Sequence, residues 1–272
     1  MSIKNLLMKK TFLLAPAVGA LCVCGYGYFF INDKLYLTLV GVVSALVILF
    51  YMIVCFCFFY LELVKLYSQL DALQSLHAVV KIRKPLPIMR SWAVSPDFVN
   101  IIVSEILDHK PKIIVELGCG VSTLVMGYLL EGLGNTTLYS FEHDLIYLEK
   151  TRQNLEAHGL TQKIKLIHAP LIHLEVNLQN HRWYDIEKFN EIESIDLLIV
   201  DGPPGWLQKL ARFPALPLLI KKLSSKATAL VDDTFRKDET TMLQKAIRCW
   251  LNRRINNGDF KYIYYKDVRN IR

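Results

Sequence analysis

Charge is missing from two long stretches of this sequence: residues 11–31 carry no acidic or basic side chain, and neither do residues 35–61. A helix of about 20 residues crosses a hydrocarbon core about 30 Å thick, so each stretch is long enough to span a bilayer. Only Asn32, Asp33 and Lys34 stand between them, which predicts a two-helix transmembrane hairpin within residues 1–64. No small-residue cleavage site follows the first run. The bulky stretch from Tyr26 to Ile31 stands there instead and argues against a cleaved signal peptide. Cysteine is scarce as well: six in 272 residues build no disulfide framework. The spacing of Cys22 with Cys24 and of Cys55 with Cys57 fits no zinc pattern, and the thiols point to a reducing compartment. Also lacking is a basic patch interleaved with aromatic residues. The net charge of +7 is therefore not read as a nucleic-acid footprint. Instead Lys4, Lys9 and Lys10 precede the first apolar run, and Lys65, Lys81, Arg83 and Lys84 follow the second. By the positive-inside rule, both ends are expected on the cytoplasmic face of a membrane protein with two spans.

After the apolar runs, Leu66, Leu70, Leu73, Leu76 and Val80 recur at helical spacing among polar residues. This predicts an amphipathic linker helix over 65–84, lying on the lipid bilayer or on the following domain. Pro85 and Pro87 end it, and a third region spans 85–272. Within that region Ser95, Pro96 and Asp97 start a helix that runs to about His109. A strand at 113–115 follows, then helix 122–133, strand 137–143, helix 144–158, strand 164–168 and strand 195–200. Helix 206–223, bent by Pro214 and Pro217, strand 227–231, helix 238–253 capped by Asp238 and strand 260–265 complete the reading. Strands alternating with helices predict an α/β fold with a mostly parallel, doubly wound sheet covered on both faces.

Three places in this region carry chemistry. The β-branched run Ile113–Val115 breaks at Gly118 and Gly120, a strand-to-turn pattern that puts backbone N–H groups at the carboxyl edge of the sheet. Ser122 is placed to cap the next helix. Glu116, just before the turn, suits a ligand carrying an ammonium group rather than phosphates. A dinucleotide site would want glycine at position 123, where Thr123 stands. Second, Glu142 ends the next strand, roughly 20-odd residues after the turn, where a carboxylate accepts hydrogen bonds from both ribose hydroxyls of a nucleoside. Third, the apolar strand 195–200 delivers Asp201 to the same edge, followed by a stiff Gly-Pro-Pro-Gly turn. Asp232 and Asp233 end the strand after it. Three converging carboxylates raise one another's pKa unless a cation or hydrogen-bond donors compensate.

With Glu-Leu-Gly-Cys-Gly-Val-Ser at 116–122, Asp-Gly-Pro-Pro-Gly at 201–205 and Asp-Asp-x-x-Arg-x-Asp-Glu at 232–239, the stretch from about Pro85 to Trp250 resembles the class I S-adenosylmethionine (SAM) dependent methyltransferases. Its nearest likeness is to a bacterial membrane-linked group, and the resemblance implies a Rossmann-like fold. It further implies that Glu116, Gly118, Gly120 and Ser122 form the turn holding the methionine part of SAM, with Glu142 on its ribose. The loop Ala169–Leu171 and His143 would lie near its adenine, and Asp201 beside the methyl group. In the catechol-type O-methyltransferases a similar acidic trio binds a divalent cation, and the matching positions here are Asp201, Asp232 and Asp233. Mg²⁺ or another divalent cation is thereby implied. The chain departs from that pattern in having prolines after Asp201 where the family has a basic lysine. The implied function is a membrane-anchored O-methyltransferase, with Arg212, Arg236 and Glu239 as candidate contacts to the methyl acceptor. Location points to a lipid-linked saccharide or another membrane-bound hydroxyl compound, with protein and small-molecule acceptors open. A non-catalytic membrane adaptor is the competing reading, disfavoured by joint retention of Glu116, Glu142 and Asp201. A nicotinamide oxidoreductase is disfavoured by Thr123 and Glu116.

Overall fold

A computed structural model of the chain describes residues 34–89 and 94–232, with positions 19, 22, 25 and 26. The rest of the expected span 11–31, Asp233, Arg236, Glu239, helix 238–253 and strand 260–265 lie outside the described residues. Two compact units divide the chain, Met1–Ser68 and Gln69–Arg272.

Helix α1 (Lys34–Val79) begins in the first unit. Its stretch Thr38–Val79 is the one helix among the described residues long and apolar enough to cross a membrane. Leu46, Phe50, Phe56 and Phe59 on it are all exposed, as expected of a helix apolar all round. The separate amphipathic helix expected over 65–84 does not exist. With no glycine or proline from Leu61 to Val79, nothing interrupts the backbone ladder, and the helix simply continues. Leu66 and Leu70 are exposed, whereas Leu73 and Leu76 pack into the core of the second unit. The expected apolar stripe is thus realised only in its last two turns.

In the second unit, helix α2 (Pro96–His109) leads into a five-stranded sheet. The elements are β1 (Ile113–Leu117), α3 (Val121–Gly132), β2 (Thr137–Glu142), α4 (Leu145–His158) and β3 (Ile164–His168). A hairpin of β4 (Leu171–Val176) and β5 (Gln179–Tyr184) follows, then β6 (Ile195–Val200), the short helix α5 (Ala215–Leu219) and β7 (Leu223–Val231). The sheet order is β3-β2-β1-β6-β7, with every pair parallel. The chain steps outward from β1 to β3, then crosses back to β6 on the other side of β1. The topological switch point therefore lies between β1 and β6.

Side chains alternate between two cores, as a strand period of two requires. Ile114, Leu138, Leu197, Ile199 and Leu230 pack against α2, α3 and Leu76. Val115, Leu117, Phe141, Leu198, Val200 and Val231 pack on the other face against Trp183, Tyr184, Phe189 and Phe213. The second face departs from expectation, because among the described residues no long helix covers it. The residues expected to form helix 206–223 are mostly turns, and only α5 and a 3-10 turn at Ile220–Lys222 are helical. Pro214 and Pro217 contribute no N–H to a ladder there. The antiparallel β4–β5 hairpin takes the remaining space. It reverses through Asn177 and Leu178, both at positive φ (52° and 62°), the geometry of a tight two-residue hairpin turn.

A strap formed by the residues after α1 is fastened to this unit. Arg83 donates to both carboxylate oxygens of Glu131 and to the His158 carbonyl, and its guanidinium lies 4.9 Å from the centre of the Tyr128 ring. The Lys84 ammonium donates to the Ala157 carbonyl.

Candidate functional site

Glu116 lies in the central strand, and register sets it opposite Ser140 of β2. Its carboxylate is fully buried and takes three hydroxyl donors: Ser122 at 2.5 Å, Ser140 at 2.5 Å and Thr123 at 2.6 Å. Burial pushes its pKa up to about 7, opposed by the three hydroxyls, and the nearby Glu142 adds to the rise. Facing the first turn of α3, Glu116 ties that helix to β1 and β2. It does not stand open to a ligand, as the sequence suggested. Ser122 is corrected too, since its hydroxyl goes to Glu116 and caps nothing. The capping bond comes from Thr123, whose Oγ1 accepts from the Gly120 N–H at 2.9 Å.

The glycine turn has no N–H group to spare. Gly118 donates to the Phe141 carbonyl (2.9 Å), Cys119 to Glu142 Oε2 (3.2 Å) and Gly120 to Thr123. A phosphate cradle needs those donors, so this turn is not one. Glu142, also nearly buried, accepts from the backbone N–H groups of His143 (2.8 Å) and Asp144 (3.0 Å) as well. It knots the ends of β1 and β2 together at the sheet edge. His143 Nδ1 lies 2.7 Å from Glu142 Oε1 at an angle that makes no hydrogen bond. Its ring meets that of Tyr184 edge to face, with centres 6.1 Å apart. Ala169 is fully buried, and its N–H donates to the Glu142 carbonyl, so this end of the expected adenine loop is fixed beside β2. Burial also raises the Cys119 thiol far above its ordinary range, which favours the neutral thiol in the turn.

Across the switch point, Asp201 is oriented by Arg212. Guanidinium Nη2 donates to Asp201 Oδ1 at 3.1 Å, and Nη1 donates to the Asp232 carbonyl at 3.0 Å. Arg212, 4% exposed, thus bridges the ends of β6 and β7 from the turn segment between them. Its guanidinium compensates the charge of Asp201; the sequence reading had it as a candidate acceptor contact. A guanidinium on Asp201 Oδ1 competes with a divalent metal at that oxygen, and Asp233 lies outside the described residues. Among the described residues no three His, Cys, Asp or Glu side chains converge.

The glycine turn and the Asp-Gly-Pro-Pro turn touch backbone to backbone. Gly118 has φ +98°, and a Cβ on it would meet the Gly202 nitrogen at 3.2 Å. A Cβ on Gly202 would stand 2.1 Å from the Tyr184 hydroxyl. Sequence reasoning missed Tyr184, since the segment carrying it was assigned to no element. It also missed the three hydroxyls on Glu116, although Ser140 at an inward position beside an acid was a usable signal.

Residues 115–234 match a protein-family profile described as a methyltransferase domain. The SAH-bound methyltransferase PaMTH1 of Podospora anserina aligns at 18% identity and a TM-score of 0.45, over 67% of this chain and 79% of that one. An O-methyltransferase from Bacillus cereus in complex with SAH aligns at 13% identity and a TM-score of 0.46, over 68% and 79%. No curated protein matches the sequence.

Proposed function

We propose that this chain is a membrane-anchored SAM-dependent methyltransferase acting on a hydroxyl acceptor. The observation that carries the reading is the fully committed glycine turn with Glu142 beside it, within the stretch that matches the methyltransferase-domain profile. A site with no unused N–H in its turn and the Glu142 carboxylate beside it disfavours a pyrophosphate and suits a cationic nucleoside without phosphates. That separates SAM from a nicotinamide dinucleotide.

The residues at the crevice fit such a group. Nothing lies within 4 Å of where a Cβ on Gly120 would stand, which leaves open space beside the turn. When bound there, SAM supplies a methyl carbon made electrophilic by its sulfonium. Glu142 at the end of β2 would face the ribose, and Gly118 and Gly120 the amino-acid part. Asp201, held by Arg212 and still 20% exposed, orients the acceptor and is placed to receive a hydroxyl proton. No metal is assigned to this step. Helix α1 serves as an anchor in the bilayer, with the second unit on the cytoplasmic side. The acceptor is a membrane-bound hydroxyl compound, of which a lipid-linked saccharide is one instance.

Isothermal titration of the full-length chain in detergent with SAM, SAH and NAD tests the reading. SAM and SAH binding without NAD binding is expected, and weaker SAM binding by Glu142→Ala. NAD binding without SAM binding would reverse it. Extraction of membranes with alkaline carbonate should leave the chain in the pellet, and release into the supernatant would remove the anchor.

A further inference from the structure

Tyr184 is the last residue of β5, and its hydroxyl reaches the notch where the ends of β1 and β6 meet. Three observations fix its surroundings. A Cβ on Gly202 would come 2.1 Å from this oxygen and 3.3 Å from Gly118 Cα, so the hydroxyl stands at the contact of the two turns. The His143 ring packs edge to face on the Tyr184 ring. The side chain is fully buried, and its hydroxyl makes no hydrogen bond.

A buried hydroxyl without a partner is costly, and natural folds leave few of them. The neighbouring acids do not relieve it. Glu142 is occupied by the N–H groups of Cys119, His143 and Asp144, and Asp201 Oδ1 by Arg212. Burial, followed by the nearby Glu142, raises the phenol well above its ordinary range, so it stays protonated and has a proton to donate. The hydroxyl also sits at the switch point between β1 and β6, where open α/β sheets take their ligands.

We propose that Tyr184 is a ligand-binding residue whose phenol O–H donates to an anionic oxygen of the molecule bound in this crevice, the carboxylate of the amino-acid part of SAM. The assignment rests on the methyltransferase reading and extends it. The carboxylate is the one anionic group SAM carries, and a neutral donor favours an anion over an ether or a hydroxyl. The β4–β5 hairpin then has a role beyond covering the sheet, since it carries this donor into the site. Gly202 has one as well, because any side chain there would displace the tyrosine hydroxyl.

The test compares Tyr184→Phe with the wild type as full-length chains in detergent, by isothermal titration and by thermal unfolding without ligand. Affinity for SAM and SAH should fall about tenfold or more. Affinity for 5′-methylthioadenosine, which lacks the amino-acid part, should be equal in the two proteins. The unfolding midpoint of the ligand-free variant should be unchanged or higher, because the lost hydroxyl had no partner. SAM binding equal in both proteins would overturn the assignment and leave the methyltransferase reading intact. Methylthioadenosine weakened as much as SAM would overturn the carboxylate contact. A midpoint lowered by several degrees would show a structural hydrogen bond and likewise overturn it. Absence of SAM binding by the wild type would remove the methyltransferase reading itself, and this assignment with it.

Discussion

The Arg212 guanidinium holds the Asp201 carboxylate at 3.1 Å while its other nitrogen takes the Asp232 carbonyl at 3.0 Å. One buried cation thus fixes both acidic turns at the sheet edge. Removing it would take the guanidinium from a carboxylate that is only 20% exposed. Arg212→Met is expected to cost about 3 kcal/mol in chemical denaturation. Arg212→Lys should recover only part, because an ammonium lacks the planar fork that serves two acceptors. Full stability of Arg212→Met would show that the bridge contributes nothing.

Arg212 also makes a prediction about metals. With a guanidinium already on Asp201, a chelator should leave both SAM binding and methyl transfer unchanged. Transfer from radiolabelled SAM into a membrane extract, measured with and without EDTA, checks it. Loss of transfer in EDTA, restored by Mg²⁺, would reinstate the divalent site on Asp201, Asp232 and Asp233.

Glu116 should couple stability to pH. Its pKa is about 7 in the fold against 4.5 when unperturbed, so between these values the folded state holds a proton that the unfolded state has released. Stability is then greatest below about pH 4.5, falls as pH rises toward 7, and levels off above it. From the size of the shift, the fall amounts to about 3 kcal/mol. Glu116→Gln should flatten this window, which denaturation at pH 5 and pH 8 would reveal. An identical slope in the variant would assign the dependence to another group.

The two glycines of the turn should respond differently to alanine. Gly118 sits at φ +98° against the Gly202 backbone, so Gly118→Ala is expected to destabilise by about 1–3 kcal/mol. Gly120 has φ 170°, an extended conformation open to any residue, and nothing within 4 Å of a new Cβ. Gly120→Ala should keep its stability within about 0.5 kcal/mol yet bind SAM more weakly, by intruding on the open space. Equal destabilisation of both variants would contradict this division.

How far the sequence revealed this much depended on the kind of signal each segment carries. Ile113–Val115 and Ile195–Val200 are short β-branched or apolar runs ended by glycine, and such runs have one reading, a strand buried on both faces. The turns after them placed Gly118 and Asp201 at one edge for the same reason, and Glu142 joins them as the last residue of β2. The β4–β5 hairpin gave no such signal. Gln179, Asn180, His181 and Arg182 are polar, and its turn uses Leu178 where glycine would announce a reversal. Tyr184 was hidden along with it. The run from Leu66 to Val80 misled in another way. Its spacing is helical, but spacing alone does not show that α1 is unbroken or that Leu73 and Leu76 reach a core while Leu66 and Leu70 stay exposed.

Strands β4 and β5 pair with each other and, among the described residues, with no strand of the parallel sheet, while Arg182 of β5 is tied to the Gln208 side chain. The hairpin's exposed positions can therefore change without touching the hydrogen-bond ladder of the parallel sheet, whereas Trp183 and Tyr184 are held in the core. Relatives that share the turns but differ between residues 171 and 184 should differ in what they grip at the amino-acid end of the pocket. Grafting the segment between two such proteins would carry that preference with it.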